Sequence, residues 1–114
     1  MPPSNDRLLV IIATSDPAKA QTAAMYATNA LKYKWMQDVR LILFGPAENL
    51  ILEDEDFQDQ VIQYRAQEQQ PVACKFLSDR DGTSKRLDAL GIQVEYVGEM
   101  ISDLIKDGYK PMVW

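Results

Sequence analysis

Apolar residues are spaced along this chain in two alternating ways. Short runs in which nearly every position is apolar are separated by longer stretches in which apolar residues return every three or four positions. Arg7 to Ala13 (RLLVIIA) is a continuous run of Leu, Val and Ile, which predicts a strand buried on both faces of a parallel sheet. Thr14-Ser15-Asp16-Pro17 comes next with turn residues, a capping side chain and a proline suited to a first helical turn. The spacing of Ala20, Ala23, Ala24, Ala27, Ala30 and Leu31 predicts a helix from Asp16 or Pro17 to about Met36, with Asp16 as its N-cap. Asp38 to Phe44 (DVRLILF) reads as a second strand ended by Gly45-Pro46, and residues 47–52 fit either a short helix or an apolar loop. An acidic turn at Glu53 to Asp56 leads an amphipathic helix to about Gln69.

Pro71 to Cys74 is the third strand, with Ser78 and Asp79 as caps for the next helical stretch. Asp81 to Ser84 breaks the helical pattern, which resumes to Leu90 and stops at Gly91. Ile92 to Val97 gives a fourth strand. Gly98-Glu99 opens a last helix with the stripe Met100, Ile101, Leu104 and Ile105, and Tyr109 to Trp114 closes as a fifth strand. Pro111 has no N–H to donate, so the fifth strand belongs at a sheet edge. Strands alternating with helices and no hairpin signal predict right-handed crossovers, hence a three-layer α/β/α domain on a five-stranded parallel sheet over residues 1–114. Of the common doubly wound layouts, the flavodoxin-like order 2-1-3-4-5 fits five strands, and it places Thr14, Ser15 and Asp16 beside Cys74 at the switch point.

Composition narrows the chemistry. The chain has 114 residues, one cysteine and no histidine, so it lacks an internal disulfide, imidazole metal ligands and His-activated nucleophiles. A net charge of −5 opposes a nucleic-acid partner. No apolar run is long enough to cross a membrane and the first six residues lack the order of a signal peptide, so a cytoplasmic protein is expected. The acids Glu53 to Asp56 with Asp59 read as a solvated helix start, without the spacing of a calcium loop, and no metal or cofactor is expected. Cys74, where a strand gives way to a helix, is the candidate nucleophile, with Lys75 and Arg80 as cations able to favour its thiolate. Its ordinary alternative is a small apolar filler. Thr14, Ser15 and Asp16 form a second candidate binding turn for phosphate or a nucleotide, though without a glycine to admit the ligand.

Val72-Ala73-Cys74-Lys75-Phe76-Leu77-Ser78-Asp79-Arg80-Asp81-Gly82-Thr83-Ser84, then Leu90-Gly91-Ile92-Gln93-Val94, then Gly108-Tyr109-Lys110, resemble the DsrE/DsrF-like proteins. The resemblance implies a DsrEF-like fold, a trimer or hexamer, and a sulfur relay in which Cys74 carries sulfane sulfur as a persulfide from a donor protein to an acceptor. Many relatives have another cysteine three residues on, where this chain has Leu77, so the resemblance favours transfer to a partner's thiol over an internal disulfide. The competing expectation is a domain without chemistry that binds a small ligand or self-associates through Met25, Tyr26, Tyr33, Trp35, Met112 and Trp114.

Overall fold

The computed structural model describes residues 6–114; the first part of the polar lead, residues 1–5, lies outside them. Five strands, β1 (Arg7–Ile12), β2 (Asp38–Leu43), β3 (Val72–Cys74), β4 (Gln93–Glu95) and β5 (Lys110–Val113), form one parallel sheet. The helices are α1 (Pro17–Lys32), α2 (Pro46–Glu53), α3 (Glu55–Arg65), α4 (Lys75–Asp81), α5 (Ser84–Ala89) and α6 (Val97–Lys106). The three-layer α/β/α class is as expected, and among the described residues β5 is an edge strand that pairs with β1 alone.

The strand order is β4-β3-β2-β1-β5, not 2-1-3-4-5. The physical reason lies in which strands can tolerate an edge. Leu41, Ile42 and Leu43 of β2 are buried on both faces, which an edge position would not allow, whereas β4 is Gln-Val-Glu with no residue fully buried. Steps from β1 to β4 all run one way across the sheet, and the return from β4 to β5 runs the other way. Right-handed crossovers therefore place α6 on the opposite face from α1 and α3.

The two faces are unequally covered. On one, the alanines 20, 23, 24, 27 and 30 of α1 let its backbone approach Leu8, Val10, Ile12, Val39, Leu41 and Leu43, while Phe57, Val61 and Tyr64 of α3 complete the larger core. On the other, Leu9, Ile11, Ile42, Val72 and Cys74 lie under α6, of which only Val97 is buried and Met100, Ile101 and Leu104 are half-buried. The hydroxyl of Tyr64 donates to the Val39 carbonyl at 2.6 Å inside the larger core. Tyr64→Phe is expected to lower stability by about 1–2 kcal/mol, seen as a lower urea midpoint at unchanged slope.

Several boundaries move. Helix α1 ends at Lys32, and residues 33–37 turn back through Lys34 at a φ of 58°. The ambiguous stretch is helical, opened by Gly45 at a φ of 72° and Pro46 in the first turn. Helix α3 stops at Arg65, four residues before Gln69. Helix α4 starts at once after β3 with Cys74 as its N-cap, so Ser78 and Asp79 lie within it and cap nothing. Strand β4 is trimmed to three residues, and α6 begins at Val97. Gly91 takes a φ of 80° just past α5, which is the left-handed stop expected of it.

Candidate functional site

Cys74 ends β3, and its backbone opens α4 in extended conformation (φ −71°, ψ 115°). It belongs to the smaller core with Val72 and Val97, with Leu77 and Met100 half-buried at that core's margin, and the residue is only 6 % exposed. No side chain caps α4, so its first-turn amides have no side-chain acceptor. The sulfur is attached at the position from which an N-cap side chain ordinarily accepts those amides.

The cations expected to serve Cys74 are engaged elsewhere. Lys75 Nζ pairs with Asp79 Oδ2 at 2.7 Å and lies over the Tyr96 ring, 5.7 Å from its centroid. That pairing raises the Lys75 ammonium above its ordinary range, and the hydrogen bonds from Lys75 and then Ser84 hold the Asp79 carboxyl below the usual carboxylate range. Ser84 Oγ donates to Asp79 Oδ1 at 2.5 Å and shares a 2.6 Å hydrogen bond with Ser78 Oγ, so α4 and α5 are tied together beside the cysteine. Arg80 donates to Asp81 from Nε at 3.0 Å and from Nη2 at 3.4 Å.

Arg80 belongs to a separate crevice of about 430 Å³ at the carboxyl ends of the strands, lined by Ser15, Gly45, Asn49, Glu53 and Asp81 among others. Cys74 is not part of its lining. The reason is the strand order: β2 stands between β1 and β3, so the turn after β1 is two strands away from Cys74 rather than beside it. Thr14, Ser15 and Asp16 are thus parted from the cysteine. Asp16 acts as the expected N-cap, its Oδ1 accepting from the amides of Ala18 at 3.0 Å and Lys19 at 3.4 Å, and Thr14 Oγ1 accepts from the Asp16 amide at 3.0 Å. A phosphate at this terminus would have to displace a carboxylate that already occupies it.

Glu48 is a residue that the pattern of the chain did not single out. It sits in the first turn of α2, 2 % exposed, with Oε2 accepting from the Gly45 amide at 3.0 Å and Oε1 buried without a partner. Burial pushes its carboxyl up to about 7, against the Gly45 hydrogen bond, and Asp81 raises it further. The local signal is Gly45-Pro46-Ala47-Glu48, a helix opening with an acid at its third position.

Of the aromatic and methionine side chains suggested for self-association, Met25, Tyr33, Trp35 and Met112 are exposed, while Tyr26 and Trp114 pack against the larger core. Further exposed apolar residues are Ile62 in α3, Phe76 in α4, Tyr96 before α6, Ile105 in α6 and Val113 in β5. Among the described residues no cluster of potential ligands could hold a metal ion, and no helix is long and apolar enough to cross a membrane.

No protein-family model and no curated protein matches the chain. Among solved structures, it is similar to a conserved protein of unknown function from Bacteroides thetaiotaomicron, with a TM-score of 0.89 and 25 % identity over 96 % of each chain. That likeness establishes the shared fold along essentially the whole length.

Proposed function

We propose that this chain is a sulfur carrier of the DsrE/DsrF-like kind, holding one sulfane sulfur as a persulfide on Cys74 and passing it to a partner protein's thiol. The observation that supports this reading is the uncapped start of α4 at the cysteine. A sulfur there stands where the first-turn amides have no side-chain acceptor. In the loading step the Cys74 thiolate attacks the sulfane sulfur of a donor persulfide, R–S–SH. A new S–S bond forms to give Cys74–S–SH as the donor's S–S bond breaks, and R–S⁻ leaves with the electron pair. Unloading reverses these roles with an acceptor thiolate. No net redox change occurs.

Burial makes the carrier gated. The cover over Cys74 is the α6 layer, which buries only Val97 fully, so local opening of that layer is what admits a donor. Incubation with a low-molecular-weight persulfide is expected to add one sulfur mass to the folded protein, and Cys74→Ser removes the addition. Val97→Ala, which loosens the cover, accelerates loading. Loading confined to denatured protein overturns the proposal.

Self-association belongs to the same reading. Strand β5 exposes Met112 and Val113 on an edge that pairs with no other described strand, and Phe76, Tyr96 and Ile105 are exposed apolar residues on α4, before α6 and on α6. The expected assembly is a homo-oligomer, trimer or hexamer, and sedimentation equilibrium measures it. A monomer at all concentrations rejects the assembly without touching the persulfide.

A further inference from the structure

Two surfaces of the folded chain are left uncovered on opposite sides of the sheet. The first follows α1, where Lys32, Tyr33, Lys34 and Trp35 are all exposed. Tyr33 and Trp35 keep 57 % and 56 % of their surface in solvent, with ring centroids 5.6 Å apart, and Trp35 also lies 6.2 Å from the half-buried Tyr26. Lys34 joins the two exposed rings through a left-handed backbone, φ 58°, which a lysine adopts only at a cost. Among the described residues neither Lys32 nor Lys34 forms an ion pair, and Lys32 lies over the Tyr33 ring, 5.4 Å from its centroid. Exposed aromatic rings held against one another are the composition of a contact surface more than of a solvated turn.

The second surface is a groove of about 510 Å³ along α6, lined by Tyr96, Glu99, Met100, Asp103, Leu104 and Asp107. Its apolar wall is left open because α6 buries only Val97 fully: Met100 and Leu104 are half-buried, and Tyr96 is exposed. Asp103 stands in the carboxyl-terminal half of α6 and Asp107 at its C-cap, where the macrodipole disfavours negative charge, so these acids are not a helix start answered by its own amides. Asp107 pairs with Arg7, whereas Glu99 and Asp103 have no ion pair among the described residues.

We infer, on the self-association proposed above and independently of the persulfide, that the two surfaces meet between copies of this chain: Trp35 of one copy enters the α6 groove of the next against Met100 and Leu104, and Lys32 and Lys34 face Glu99 and Asp103. Charge selects this occupant. The chain carries a net −5, so copies repel one another unless a local basic surface meets a local acidic one. Because α1 and α6 cover opposite faces of the sheet, one copy does not fill its own groove, and a single partner does not take both surfaces at once. The contact is therefore head-to-tail, each copy giving its rings to one neighbour and its groove to another.

Sedimentation equilibrium of the full chain over a range of concentrations is the test. Trp35→Ala is expected to raise the dissociation constant of self-association about tenfold or more, as loss of an aromatic anchor does. Glu99→Gln combined with Asp103→Lys is expected to leave monomers where the parent assembles. All three positions are exposed, so both variants keep the parent's cooperative unfolding. Mixed in equal amounts, the first variant supplies an intact groove and the second intact rings, and the mixture is expected to form a dimer that grows no further, a recovery that misfolding cannot imitate. Assembly of either variant as tight as the parent's, or a mixture that stays monomeric, overturns this contact and leaves self-association through another surface standing. A parent chain that is monomeric at every concentration overturns both.

Discussion

Phe57→Ala is expected to destabilise the protein by about 3–5 kcal/mol, the range for deleting a fully buried aromatic ring. Phe57 is wholly buried in the larger core, on α3, the helix that packs beside α1. The alanine stripe of α1 offers no long side chain that could swing into the vacated space, so the site cannot collapse around the cavity. For a chain of 114 residues the thermal midpoint should fall by roughly 12–20 °C. Leu104→Ala on α6 supplies the contrast. That side chain is only half-buried, in the thinner layer, and its loss is expected to cost about 1 kcal/mol. Equal losses in the two variants would mean that the two faces of the sheet are equally packed, contrary to the burial seen.

Glu48→Gln is expected to stabilise the protein at pH 8 and to do next to nothing below about pH 4. The carboxyl titrates near 7 in the folded chain, against an ordinary value of 4.5. Between those values the folded state binds the proton that the unfolded state has released, so stability falls as pH rises through this window. Below it both states are protonated and the penalty is absent; above it the folded protein holds a buried carboxylate with one unmatched oxygen. Glutamine keeps the acceptor for the Gly45 amide and removes the charge. The gain at pH 8 is on the order of 1–3 kcal/mol, read as a flattened dependence of the urea midpoint on pH. A variant whose midpoint tracks pH as steeply as the parent would remove Glu48 as the source.

The elements are legible in the chain because each carries its own period. RLLVIIA is apolar at every step as a strand covered on both sides must be, and Ala20 to Ala30 repeats at helical spacing as a close-packed helix requires. What sets strand order is less local. Pro111 demands an edge in either layout, so it could not choose between them. The polar Gln93 and Glu95 were the better witnesses, since a strand flanked by two others has no solvent for them. Once β2 intervenes between β1 and β3, the residues that the other strand order would gather around Cys74 separate into a thiol beneath α6 and a crevice at the rim. Glu48 escapes notice in the chain because an acid in a first helical turn is ordinarily solvated. Only the folded chain, in which α2 packs on α3 and α5, makes it buried.

The pairing of β5 with β1 has a consequence for synthesis. Strand β1 is made before the other four strands, yet one of its two partners is made after all of them, once the chain has travelled out to β4 and back. Until then Leu9, Val10 and Ile11 offer unsatisfied peptide groups along an apolar ribbon to any passing strand. Nascent chains stalled before Lys110 should therefore be the ones that aggregate and recruit chaperones, and β5 acts as the clasp that closes this hazard.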